Sequence, residues 1–282
     1  MRIIALNVLV FLVINLVLIF GNLSGAALPF FSSTASRLVY WISAPSAFSE
    51  FIVRPWTWFT YMFVHQDFWH ILSNMLILYF VGRVFCDMLG DRRFLPTYIF
   101  GGLAGLAVYV IAYNIAPKFY DTHSILYGAS ASVMAIFLAT ATYFPDYEVY
   151  LFGIFRVKLK WLAVVYVVLD FLALKGQDNL GGHLAHLGGA AYGFFYARQL
   201  AKGSDWSEFM YRLTGSVSGL FAPGKKVKVV HRSTVPLKGQ TSSPSKAEKQ
   251  QIIDTILDKI SRSGYESLTK AEKDTLLKAG EE

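Results

Sequence analysis

Apolar residues dominate the first two hundred positions in long runs separated by short polar or aromatic breaks. Hydrocarbon about 30 Å thick needs about 20 apolar residues as helix. Reading with that window predicts six spans, approximately over residues 3–22, 68–86, 94–115, 124–144, 159–174 and 181–200. The first follows Arg2 and ends near Gly25, Ala26 and Ala27, as a secretory signal would, but its apolar core is long for one, so a retained helix is expected. Between the first two spans, residues 23–67 carry Tyr40, Trp41, Phe48, Phe51, Trp56, Trp58, Phe59 and Tyr61, amphipathic rings that favour the headgroup level. After the sixth span, Trp206, Phe209, Met210 and Leu213 recur at helical spacing and predict a short surface helix. Residues 233–247 read as a flexible linker. Beyond it, Ser245 and Glu248 have capping-box spacing, and Ile252, Ile253, Ile256, Leu257 and Ile260 form one stripe ending near Gly264. Thr269 and Glu272 repeat the cap before Leu276 and Leu277, predicting a small helical hairpin. The expected organisation is a transmembrane domain over 1–201, a basic juxtamembrane segment and linker over 202–247, and a helical appendage over 248–282.

Composition agrees with an integral, all-α membrane protein: 54% of the 282 residues are hydrophobic and 16% charged, and the mean hydropathy is +0.43. The net charge of +7 does not call for a nucleic-acid partner, because the basic residues lie in loops and tail where topology accounts for them. Arg2, the group Arg83, Arg92 and Arg93, the group Arg156, Lys158 and Lys160, and the tail are basic; the alternate connections hold only Arg37, Arg54, Lys118 and Lys175. Both termini are therefore expected on the cytoplasmic side of the membrane. From Arg198 to Lys238 eight basic residues face Asp205 and Glu208, which favours contact with anionic lipid. Cys86 is the one cysteine, so an intrachain disulfide or thiolate cluster is excluded.

Polar side chains at bilayer depth are costly and mark function. His70 and Asn74 share a face of the second span, Ser130 lies about six residues into the fourth, and His186 about five into the sixth. All three spans enter from the outer side, so these groups are expected roughly 5–12 Å below that surface. Gly128, Ala129, Ala131 and Ala135 around the serine, and Gly188, Gly189 and Gly193 after the histidine, allow close helix contact, with Gly189 and Gly193 in GxxxG register. A serine hydroxyl needs a neighbouring base, which neutral imidazole supplies near pH 7, and the oxyanion formed on an attacked amide needs fixed donors. Asn74, His70 and the Ser130 backbone N–H are the candidates. Asp170, read as a helix-end group reaching water, leaves a Ser-His dyad as the expected arrangement. His183 and His186, with His65, His70 and His123 on the same side, also admit a metal reading, but no carboxylate stands beside them in sequence. Neither metal nor cofactor is expected. His65 is expected to hold the first loop by hydrogen bonding.

The set of His65, His70 and Asn74, Gly128-Ala129-Ser130-Ala131, and Ala185-His186-Leu187-Gly188-Gly189 with Gly193 resembles the rhomboid family of intramembrane serine proteases over about residues 1–200. The resemblance implies a six-transmembrane-helix bundle of bacterial type in a bacterial inner membrane, Ser130 as nucleophile, His186 as base, Asn74 and His70 as oxyanion side chains, and transmembrane proteins as substrates. The alternative is an inactive rhomboid-like protein that binds transmembrane helices without cutting them. The chain departs from the family pattern at three places. GxSG reads Gly128-Ala129-Ser130-Ala131, the first-loop Trp-Arg pair reads Trp56-Thr57, and the tyrosine that stacks on the histidine in some members is Met134. The tail, with Gly264-Tyr265 and Ser267-Leu268-Thr269, resembles an appendage of some bacterial rhomboids.

Overall fold

The computed structural model describes residues 2–23, 37–119, 122–151, 153–176, 178–209 and 246–280. Two compact units, Met1–Gly224 and Lys225–Glu282, make up the chain. The first is a helical bundle of α1 (Arg2–Leu23), α2 (Phe68–Leu89), α3 (Asp91–Ile115), α4 (Ser130–Tyr143), α5 (Leu159–Ala173) and α6 (Leu180–Ala201). By length and apolar composition, α1 (through Ile19), α2 and α3 are each able to cross a membrane. The 14-residue α4 is shorter than the run predicted for it.

That shortening has a local cause. Ile125–Leu126 (β2) pairs antiparallel with Ala44–Pro45 (β1) of the first loop, and Gly128 then turns at φ +117°, which an L side chain rarely adopts. The helix therefore begins at Ser130 itself, not six residues earlier. Every residue of α4 from Ala131 to Ala141 is buried, with α3 and α6 packed against it. Lipid supplies no hydrophobic drive between helices, so small residues and close backbone contact hold such a centre together. A Cβ on Gly189 would lie 2.8 Å from the Ala131 carbonyl carbon, and one on Gly193 2.9 Å from that of Ala135.

The first loop is built into the bundle. Helical segments Phe48–Val53 and Thr57–Thr60 occupy it. The Tyr61 hydroxyl donates to the Gly102 carbonyl at 2.7 Å, and Gly128 N–H donates to the Tyr61 carbonyl at 2.9 Å. Tyr61 is thus core, contrary to the interfacial role expected of it, whereas Trp41, Phe48, Trp56 and Phe59 remain exposed. Arg54, two residues before Trp56, is 3% exposed. Its guanidinium lies 4.4 Å from the Tyr40 ring centre, donates to the Tyr40 carbonyl at 3.2 Å, and pairs with Glu50.

One further feature differs from the sequence reading. The basic connection after α4 is a hairpin, β3 (Glu148–Leu151) with β4 (Phe155–Lys158), turned at Gly153 with φ +73°. After α6, helical backbone covers 206–209, while Met210, Leu213 and the linker up to residue 245 lie outside the described residues.

In the second unit, α7 (Lys246–Ser263) and α8 (Lys270–Gly280) form the expected hairpin. Ile256 and Leu268 are buried, but Ile252 and Leu257 of the same stripe are exposed. The cap at α8 is reciprocal: Thr269 N–H donates to Glu272 Oε2 at 2.7 Å and Glu272 N–H to Thr269 Oγ1 at 3.4 Å. The side chains of the Ser245–Glu248 cap lie outside the described residues.

Candidate active site

A cavity of about 150 Å³ is lined by His70, Ser73, Asn74 and Ile77 from α2, Ser130, Val133 and Met134 from α4, Tyr166 from α5, Asn179, and His186 from α6. The volume is enough for several waters. Ser130, His186, Asn74 and His70 are thereby brought to one space by three helices that are distant in sequence. Ser130 is the first residue of α4, so its N–H belongs to the helix turn whose amides have no intrahelical acceptor. Donors of that kind, aligned with the helix dipole, favour negative charge.

Each side chain has an identifiable support. Asp67 caps α2, accepting from His70 N–H at 2.9 Å. Asn74, 6% exposed, donates one amide proton to the His70 carbonyl at 2.8 Å and keeps the other. The His70 ring lies against Gly128, where a Cβ would come within 2.7 Å of His70 Cε1, so Gly128 is required by contact as well as by φ. His65 is fully buried and its Nε2 accepts from Ala129 N–H at 3.3 Å, tying the first loop to the residue before Ser130. Its ring meets that of His70 edge-on, 5.0 Å between centres. Among the described residues, Ser130 and His186 share the cavity without a direct hydrogen bond. Catalytic hydrogen bonds in apo enzymes are often long and tighten on binding.

Asp170 is not the water-reaching helix end expected from sequence: it is 5% exposed. Its Oδ1 lies 2.7 Å from His183 Nδ1 and 2.9 Å from His186 Nδ1, and its Oδ2 is buried without a partner. The two histidines thus do have a carboxylate beside them, contributed by α5. These ligand-type atoms all lie within 4.8 Å of one another, but 2.7 and 2.9 Å are hydrogen-bond lengths. A tetrahedral zinc at about 2.1 Å from each ligand separates them by roughly 3.4 Å. As it stands, the array is joined by protons. Tyr166 and Asn179 were invisible as site residues in the sequence; Asp170 had a signal, as a carboxylate inside an apolar run, but was assigned to the helix end.

A family profile described as the Rhomboid domain matches residues 53–203, and one described as a family of unknown function (DUF6576) matches residues 242–278. RHOMBOID-like protein 12, mitochondrial, of Arabidopsis thaliana is 32% identical over 158 residues, 52% of this chain and 47% of that protein. Rhomboid protein 1, mitochondrial, of Saccharomyces cerevisiae is 29% identical over 148 residues, 50% and 40% of the two chains. Presenilin-associated rhomboid-like protein A, mitochondrial, of Danio rerio is 26% identical over 136 residues, 48% and 34%. The chain thus spans between a third and a half of the length of these relatives. Their names are mitochondrial, so the bacterial type and bacterial inner membrane expected from sequence are not borne out. With the profile covering more than half of its length and apolar helices forming the bundle, the chain is an integral membrane protein that belongs to the rhomboid family.

Proposed function

We propose that this protein is an intramembrane serine endopeptidase that cuts transmembrane proteins, with Ser130 as nucleophile and His186 as general base. The observation that carries the reading is the shared cavity lined by Ser130, His186, Asn74 and His70, with the serine at the start of a buried helix. His186 Nδ1 is engaged by Asp170, which leaves Nε2 to take the Ser130 proton. Serine Oγ then bonds to the scissile carbonyl carbon, and the oxyanion is met by the Ser130 N–H, the free Asn74 amide proton and the His70 ring. Each such donor lowers the barrier by about 3 kcal/mol. The proton on Nε2 passes to the leaving nitrogen; His186 Nε2, again free, then takes a proton from water, which hydrolyses the acyl-serine. Exposed Trp161, Val165, Leu169 and Leu172 make α5 a lipid-facing helix, while its Tyr166 lines the cavity. The basic loops support both termini lying on the same, positive side of the membrane.

The test is cleavage of a transmembrane reporter in proteoliposomes: Ser130→Ala and His186→Ala should fold and lose all cleavage, and undiminished cleavage by either sinks the proposal. The second reading, a rhomboid-like protein that holds transmembrane helices without cutting, draws on the missing Ser130–His186 hydrogen bond. Covalent labelling by a fluorophosphonate, abolished in Ser130→Ala, separates the two; an unlabelled protein that still binds the reporter favours the binder.

A further inference from the structure

A carboxylate at bilayer depth costs several kcal/mol unless it is paired or hydrogen-bonded, and Asp170 is 5% exposed on a helix that otherwise buries only Leu159 and Ala163. Its nearest partners are two imidazoles three residues apart on α6, both presenting Nδ1 to the same oxygen. An ionised carboxylate only accepts hydrogen bonds. Each imidazole must therefore carry its proton on Nδ1, which leaves the Nε2 lone pair of His186 bare. His186 lines the cavity that holds Ser130. Met134, whose thioether is at most a weak acceptor, lines the cavity as well and cannot impose a tautomer.

We propose that Asp170 is the positioning residue of this site: it fixes the tautomer and ring orientation of His186, with His183 as the second donor that holds the carboxylate in place. The inference rests on the reading of His186 as general base. When Ser130 Oγ gives its proton to Nε2, His186 becomes an imidazolium whose charge faces the Asp170 carboxylate. Asp170 stays ionised throughout, takes no proton, and the proton on Nε2 goes on to the leaving amine. Asp170 of α5 thereby adds a third member, hydrogen-bonded to His186 of α6, to the cavity that Ser130 of α4 shares.

The experiment compares the full-length protein with Asp170→Asn, which keeps the shape but can turn an N–H toward His186 Nδ1 and drive the proton to Nε2. Replacing the carboxylate of a Ser-His-Asp site by an amide in this way costs about 10⁴-fold in kcat. Both kcat on a transmembrane reporter and the rate of fluorophosphonate labelling at Ser130 are expected to fall by that order, with KM changed less than about threefold because Asp170 touches no substrate. Nitrogen-15 NMR of the imidazoles, assigned with His186→Gln, should show His186 protonated on Nδ1 in the intact protein and on Nε2 in Asp170→Asn. Labelling of Asp170→Asn at the intact rate overturns the inference while leaving the protease reading standing. An intact protein that neither labels nor cleaves overturns both. The NMR measurement on the intact protein decides the matter even if the variant folds poorly: His186 protonated on Nε2 there would overturn the assignment.

Discussion

Adding one methyl group at Gly189 should separate the nucleophile from its base. The Cβ of Gly189→Ala would lie 2.8 Å from the Ala131 carbonyl carbon and nearer still to its oxygen, both of them backbone atoms of α4 that cannot rotate away. Ordinary carbon–carbon contact needs about 3.5 Å, so α6 must move from α4 by at least roughly 0.7 Å at that point, the nearer oxygen demanding more. Gly189 is one turn beyond His186, and Ala131 follows Ser130 directly, so the displacement falls on the reacting pair. A misplacement of about 1 Å in an active site costs on the order of 10²-fold, while overpacking of this kind costs about 1–3 kcal/mol of stability. Gly189→Ala is therefore expected to stay folded, with a lower melting temperature in detergent, and to lose about 10²-fold in kcat/KM on a reconstituted transmembrane reporter. A Gly189→Ala protein that cleaves within threefold of the intact rate would refute the claim that helix approach sets the Ser130–His186 geometry.

Two more expectations concern parts of the molecule away from the cavity. Arg54→Ala removes a buried guanidinium from the Tyr40 carbonyl, the Tyr40 ring and Glu50; it should destabilise the transmembrane unit by about 2–4 kcal/mol. Arg54→Lys should recover only part of this, since an ammonium cannot reproduce the planar fork; thermal unfolding of the two variants makes the comparison, and equal recovery by lysine would argue against the fork. In the appendage, Lys259 above all, then the Thr269 backbone N–H and hydroxyl, hold the Glu272 carboxyl at about 2 against an ordinary 4.5. A carboxyl lowered on folding stabilises above its unfolded value and stops doing so as pH falls through the folded one. Protection of α8 amides from hydrogen exchange in the full-length chain should thus decline between about pH 4.5 and 2, and Glu272→Gln should remove that dependence. Equal protection of the unaltered chain at pH 6 and pH 3 would count against the Lys259 contact.

Much of this arrangement was legible in the chain before any coordinates. Runs of apolar residues located α1, α2, α3, α5 and α6 to within about three residues, because in lipid a backbone must close its own hydrogen bonds and the helix is the way to do so. The Thr269–Glu272 cap was readable because both partners lie within one turn. The start of α4 was not: Ile125 and Leu126 are as apolar as any helix residue, and only pairing with Ala44 and Pro45, eighty residues away, draws them into a strand. Arg54 looked like a stray positive charge, since its partners Tyr40 and Glu50 matter only once the first loop has folded back.

By itself the sequence determined the membrane class and the family, since both follow from local composition and short motifs. The tertiary structure alone decided what the polar groups do to one another. That Ser130 opens a helix depends on a contact between the first loop and β2. That Asp170 reaches His183 and His186 depends on how α5 packs beside α6, because no spacing along one chain specifies the rotation of one helix against its neighbour.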